Sequence, residues 1–312
     1  MHAYAARRLL QLLPTLAGVA VVAFVLMRMM PGDPTVMAGQ TISEEVRLEL
    51  RRQWHLDSPL PVQFYHYVRG LPVLDLGVSM RLGMPVRELV AGYFANTAIL
   101  AVVALLISVV AGVGLGALAG LWRGTWVDRA VIAVSLAGIS VPVFVVGVLL
   151  MLGAVAVRWR FFGGTGDPFD IRYVLLPALA LGTRSIATMA RVTRSAVVEA
   201  ATADHVRTAR AKGLSPRAVA LRHVLRNALV PVVTIVGLNF GDYLAGAVLV
   251  ESIFQWPGLG MLIRNAIAFR DLPVLLGAVL VTTTVFVLVN FAVDLLYAAL
   301  DPRVRVGGGS GA

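Results

Sequence analysis

Residues 98–121 read AILAVVALLISVVAGVGLGALAGL, an unbroken apolar run without one charged side chain. A helix needs about 20 predominantly apolar residues to cross a bilayer, and only a structure that satisfies its own backbone hydrogen bonds can do so. Further runs at Leu9 to Met27, Ala130 to Val157, Tyr173 to Val197, Leu229 to Val250 and Leu272 to Leu300 bring the expected number of spans to about six. Composition agrees: 58% of the 312 residues are hydrophobic and 14% charged, with a mean hydropathy of +0.83, unlike an ordinary soluble domain. The expected fold class is all-α integral membrane, with about six transmembrane helices.

A net charge of +10 would suit nucleic acid only if the basic residues gathered on one soluble face. Here they sort by membrane side, so no nucleic-acid partner is expected. With a cytoplasmic N-terminus, the inside segments hold Arg7 and Arg8, then Arg123 and Arg129, then Arg207, Arg210, Lys212, Arg217, Arg222 and Arg226, then Arg303 and Arg305. That is the positive-inside pattern and predicts a multi-pass protein of the inner (plasma) membrane with both termini cytoplasmic. The first outside stretch carries Arg47, Arg51, Arg52, Arg69, Arg81 and Arg87, but its length weakens its influence on orientation. The basic start and apolar run also fit a cleaved signal peptide. The run is too long for a typical signal core, and Pro31, Gly32, Asp33 and Pro34 follow without a small-residue cleavage site, which favours a retained helix. No cysteine is present, so disulfides and cysteine-ligated metal are excluded.

The expected organisation is an N-terminal transmembrane helix over 1–30, an extracytoplasmic region over 31–96, a transmembrane core over 97–300 and a cytoplasmic tail over 301–312 ending in a flexible GGGSGA. In the outside region Ser43 suits the cap of a helix running towards Trp54, with Glu44 and Glu45 in its first turn. Pro59 and Pro61 break that helix. Val86, Leu89, Val90, Tyr93 and Phe94 then recur at the spacing of an amphipathic helix, expected along the outer membrane surface. The region reads either as a cap on the bundle or as a docking surface for an external protein.

Gly112, Gly116 and Gly120 recur every four residues, a ridge that lets another helix approach closely. Gly112, Gly114 and Gly116 are no phosphate loop, which requires a strand before it and a lysine within it; the chain's only lysine, Lys212, lies elsewhere. ATP hydrolysis is therefore expected on another polypeptide. No H-E-x-x-H, compact histidine cluster or G-x-S-x-G appears, so a metalloprotease or serine-hydrolase reading has no residues to rest on.

Glu199 to Pro231, EAATADHVRTARAKGLSPRAVALRHVLRNALVP, is a stretch of about thirty polar residues between the fourth and fifth expected spans. Two short helices joined by a turn fit it: Gly213 ends the first in a left-handed cap, Ser215 caps the second and Pro216 takes its first position. Ala218, Leu221, Leu225 and Ala228 are expected to form the second helix's apolar face. Arg207, Arg210 and Lys212 leave a positive surface that Glu199 and Asp204 only partly offset. Such a loop can be solvated and topology-setting, or built for docking.

This stretch resembles the EAA motif, the cytoplasmic coupling loop of binding-protein-dependent ABC importer permeases, with Glu199, Ala200 and Ala201 opening it and Gly213 at its pivot. ARRLLQLLPTL and MPGDP at the start, LDLGVSM outside, ADHVRTARAKGLS in the loop, LRNALVPVVT, VESIFQWPGLG and RDLPV together resemble the dipeptide, oligopeptide, nickel and glutathione permease branch. Met30 stands where leucine often precedes Pro31. The resemblance implies a type I importer permease, not an enzyme, that pairs with a homologous second permease. It also implies two ATPase subunits inside, which hold ATP and Mg, and an extracytoplasmic substrate-binding protein outside. This chain itself is expected to bind no cofactor or metal. By residue, the resemblance places ATPase contact on Glu199, Ala200, Asp204, Arg207, Thr208, Ala209, Arg210, Lys212 and Gly213, and an outer gate near Glu251, Trp256, Pro257, Gly258 and Gly260.

Charges within a bilayer are costly and are functional candidates by default. Arg184, Asp242 and Asp294, with Asn239 and Asn290, qualify, and Arg191 lies on nearly the same helical face as Arg184. Both arginines face either the pore or an interhelical pairing with Asp242 or Asp294. Arg28 and Arg194, near span ends, are expected to reach interfacial water. The same intramembrane charges would serve an ion-coupled secondary transporter, a reading that leaves the EAA-like loop unexplained.

Overall fold

The computed structural model describes residues 14–25, 44–53, 57–159 and 167–300. Ser43, Trp54, the MPGDP stretch, Arg28 and the C-terminal tail lie outside the described residues. Every described element is helical apart from turns and one isolated bridge between Val78 and Pro85. In chain order the helices are α1 (Pro14–Val25), α2 (Glu44–Gln53), α3 (Leu60–Gly70), α4 (Val86–Leu121), α5 (Trp126–Ser140), α6 (Val143–Ala156), α7 (Ile171–Thr202), α8 (Asp204–Ala211), α9 (Pro216–Ala228), α10 (Val230–Gly246), α11 (Val248–Phe254), α12 (Leu259–Ala268) and α13 (Leu272–Leu300).

Three of these, α4, α7 and α13, are long and apolar enough to cross a membrane unaided, and the number rises to five when each bent pair is taken as one span. The first bent pair corrects the sequence reading. Ala130 to Val157 is not one helix: α5 and α6 meet at 108°. Pro142 is the cause, since it has no N–H to donate and forces its predecessor out of the helical region. Val141 is accordingly extended, at φ −81° and ψ 126°. The second correction concerns the Val86 to Phe94 stripe. It is no separate surface helix but the opening of α4, which continues unbroken to Leu121.

The chain divides into two compact units, Met1–Ala98 with Pro257–Phe291, and Ile99–Trp256 with Ala292–Ala312. In the first, Val86, Leu89, Val90, Leu259, Leu262, Ala266, Val274 and Ala278 form the core. Phe24 of α1 packs edge-on against Phe64 of α3, 5.2 Å between ring centroids, which fixes α1 to α3. LDLGVSM and RDLPV meet here: the Asp271 carboxylate accepts from the Ser79 hydroxyl and from the Met80 and Arg81 amides, the latter at 3.2 and 3.3 Å. Arg81 stacks over the Phe269 ring, 3.4 Å from its centroid, a cation–π contact.

In the second unit α7 is the hub, packed by α4, α5, α6, α10 and α11. The glycine ridge of α4 faces it. A Cβ on Gly112 would lie 2.7 Å from Met189 Cβ, one on Gly116 2.6 Å from Thr193 Cβ, and one on Gly120 2.6 Å from Val197 Cγ1. Real Cβ atoms do not approach so closely, so these glycines are what bring the two backbones into contact. Ser108 extends the seam: its Oγ lies 2.7 Å from the Ala104 carbonyl oxygen, 3.3 Å from that of Gly182 and 2.8 Å from Tyr243 Oη, which ties α4, α7 and α10 together. Such polar bonds are the glue available to helices in lipid, where burial alone does not drive association.

Candidate functional site

The polar stretch after α7 folds as a capped pair of short helices. α7 ends at Thr202, whose hydroxyl donates to the Glu199 carbonyl oxygen at 2.8 Å, and Ala203 turns the chain out of the helix. α8 then closes in a Schellman arrangement: Gly213 has φ +77°, its N–H donates to Arg210 O at 3.0 Å, and Leu214 N–H reaches Ala209 O at 3.4 Å. Glycine takes a positive φ without the steric cost that a Cβ carries, which suits it to the pivot. Ser215 Oγ accepts from Ala218 N–H at 3.3 Å, and Pro216 occupies the first turn of α9.

Beneath the pair lies a small core of its own: Val197, Val206, Ala209, Val219, Val224 and Ala228, with Ala196, Ala200, Ala201 and Leu225 packed against it. Asn227 Nδ2 donates to His223 O at 2.8 Å and contacts His205 Nε2 at 3.0 Å, joining α9 to α8. The pair is thus seated on the end of α7 by packing and by hydrogen bonds.

Two sequence expectations change here. An α-helical period expects the apolar face of α9 on Ala218, Leu221, Leu225 and Ala228, yet Leu221 is 54% exposed while Val219 and Val224 are buried. Val219–Leu225 winds as a π-helix, with one extra residue per turn, so residues five apart share a face. Ala209, expected at a docking surface, is 4% exposed and belongs to the core. Ala200 is half-buried against the same core, so both alanines support the loop from within. Asp204, Arg207, Thr208, Arg210, Lys212 and Gly213 are exposed, as is Glu199. The one ion pair among them, Arg207 to Asp204 at 3.5 Å, is solvent-open at both ends and contributes little to stability.

The intramembrane charges separate. Among the described residues Arg184, Arg191 and Asp242 are exposed and make no ion pair, so the expected pairing of the arginines with Asp242 is not formed. Asp294 lies within α13, and its side chain is outside the description. Glu251 is fully buried in α11, next to Phe254 and Trp256, and the Trp256 N–H donates to its carbonyl oxygen at 2.8 Å.

Among the described residues Asp128 and Arg194 form an interhelical ion pair that the sequence pattern does not announce. Asp128 at the start of α5 accepts from Arg194 Nε at 2.5 Å and Nη2 at 2.9 Å, and from Gly124 N–H at 2.9 Å. Arg194, expected to reach interfacial water, instead holds α7 to α5. At the opposite end of α7, Asp170 caps the helix by accepting from Arg172 N–H at 3.0 Å. The Arg172 guanidinium holds the Asp170 carboxyl below its ordinary range.

The profile of the binding-protein-dependent transport system inner membrane component family matches residues 112–306, and that of its N-terminal membrane component matches residues 1–104. The glutathione transport system permease protein GsiC of Salmonella choleraesuis (strain SC-B67) is 41% identical over 304 residues, 97% of this chain and 98% of that protein. GsiC of Escherichia coli (strain K12) is 40% identical with the same coverage. The fold is similar to a chain of the MetNI methionine ABC transporter in inward-facing conformations, with a TM-score of 0.57, 18% identity, and coverage of 69% of this chain and 97% of that one. This membrane chain, helical in its described elements, with a seated, basic two-helix loop and matched along almost its whole length, belongs to the binding-protein-dependent transport system inner membrane component family of ABC importer permeases.

Proposed function

We propose that this chain forms one half of the translocation path of an ATP-driven importer, paired with a homologous second permease. Two ATPase subunits act on the cytoplasmic side, binding ATP and Mg, and an extracytoplasmic substrate-binding protein delivers the solute. The solutes are peptides or related small molecules such as glutathione or nickel complexes. The chain makes no chemical bond; it alternates between two packings that nucleotide and solute bias by unequal binding.

The observation that carries this reading is the coupling loop. Its core and caps hold α8 and α9 rigidly on the end of α7, while Asp204, Arg207, Thr208, Arg210, Lys212 and Gly213 remain available to a partner. A push on α8 is therefore delivered to the hub helix of its unit. Both termini and this loop share the cytoplasmic side, residues 31–96 lie outside the membrane, and Arg184, Asp242, Glu251 and Asp294 are the candidates for path or gate.

The test is ATP-dependent uptake by vesicles holding the coexpressed complex, comparing the native chain with Arg207→Glu plus Arg210→Glu. Uptake is expected to stop and the ATPases to dissociate while the membrane helices stay folded. Uptake by this chain alone, without ATP, would overturn the proposal in favour of a secondary transporter.

A further inference from the structure

After its first turn, α7 leaves five residues exposed: Arg184, Arg191, Ser195, Glu199 and Thr202. All five are polar. In the same unit, the residues that α4 exposes between Ile99 and Gly120 are Val102, Leu106, Val110, Gly114, Leu115 and Leu118, all apolar. Lipid accounts for the second set but not for Arg184 and Arg191 in the first, because a charge turned towards hydrocarbon is strongly disfavoured and charged intramembrane side chains face protein or water; Glu199 and Thr202 already belong to the polar loop that follows the span.

Arg184, Thr188, Arg191 and Ser195 follow one another at intervals of four, three and four, which places them along a single face. The two guanidinium-bearing residues are separated by about 10 Å of helix rise. No acidic side chain pairs with either among the described residues, and the nearest carboxylate along the stripe, Glu199, lies two turns beyond Arg191. Charge of one sign along a path with low-dielectric walls concentrates solutes of the opposite sign.

Resting on the permease reading above, we infer that the Arg184 to Ser195 face of α7 lines the water-filled path and that its two arginines favour solutes bearing carboxylates. Arginine suits the task, since its fork matches a carboxylate with two parallel hydrogen bonds. Selectivity is therefore exercised inside the membrane as well as by whatever protein delivers the solute.

The absence of cysteine from this chain makes the test direct. Thr188→Cys and Ser195→Cys on the stripe, and Leu106→Cys on the apolar face of α4, are each introduced into the assembled complex. Membrane fragments open to both sides are treated with an anionic (sulfonatoethyl) or a cationic (trimethylammonioethyl) methanethiosulfonate, and labelling is read on this chain after separation. The two stripe positions are expected to react and Leu106→Cys to resist. At Thr188→Cys the ratio of anionic to cationic rates should exceed the free-thiol ratio by about tenfold, and Arg184→Gln plus Arg191→Gln should return it to the free-thiol value. The ratio cancels any effect of the arginines on the thiol itself.

Stripe cysteines that resist both reagents with and without nucleotide would overturn the inference, placing this face against a second subunit or lipid. Equal rates for the two reagents would overturn the charge preference. ATP-dependent uptake measured on the same complexes reports the permease reading separately, because labelling requires water access and not transport.

Discussion

α4 and α7 pack against each other along one glycine seam, and each is long enough to cross a bilayer. What they leave over differs in kind. α4 turns Val102, Leu106 and Val110 outward, whereas α7 turns out Arg184, Arg191 and Ser195. The medium facing a membrane helix is thus written in the residues that remain after packing, not in its average hydropathy. α7 is the less apolar of the two because it sits at the centre of its unit and presents a polar face to what lies beyond.

The largest expected effect tests that contrast head-on. Leu106→Arg puts a charge into lipid and should disfavour insertion by about 2.5–3.5 kcal/mol, lowering the amount of chain recovered in membranes. Thr188→Arg, on the stripe, should leave recovery unchanged. Equal losses on immunoblots would break the comparison.

The next effect asks what holds α7 in place. Asp128→Asn leaves Arg194 without its counter-charge, and the hydrogen bonds to a charged group lost there are worth about 1.5–3 kcal/mol; the partly exposed arginine argues for the lower end. Thermal unfolding of the purified complex should fall accordingly, and Asp128→Leu with Arg194→Met should recover most of the loss. Failure of the double variant to recover would mean that the pair does more than pin two helices.

The seam itself gives a matched pair of substitutions. Gly116→Leu drives a side chain into Ala190 and Thr193 and should destabilise by about 1–3 kcal/mol, while Gly114→Leu, with nothing within 4 Å of its Cβ, should stay within about 0.5 kcal/mol. A similar loss at both would show that Gly114 also meets a partner. The smallest stability effect belongs to Asp204→Ala at the start of α8, where an exposed ion pair is worth about 0–1 kcal/mol. Uptake should nevertheless drop, because the residue faces the proposed ATPase surface; unchanged uptake would remove Asp204 from it.

Much of this was legible in the chain. Apolar length announced α4, α7 and α13, the i+4 glycines announced the seam, and Gly213, Ser215 and Pro216 announced the turn between α8 and α9, since caps and turns are settled by neighbours in sequence. The π turn was not legible: Val219 and Val224 show an apolar face only once the winding is known. Nor was the role of Ala209, which is buried in a core that also takes in Val197 of α7 and Val224 of α9.

By itself, then, the sequence determined the class of molecule, the seam glycines and the caps of the α8–α9 loop, because hydrocarbon thickness, steric exclusion at Cβ and local hydrogen-bond demand act over a few residues or one helix length. Only the tertiary structure decided which charges are paired. Arg194 finds Asp128 across 66 residues and Ser79 finds Asp271 across 192, while Arg184 and Arg191 find no acid among the described residues. Charge pairing depends on distances of a few ångströms between distant parts of the chain, and packing alone sets those distances.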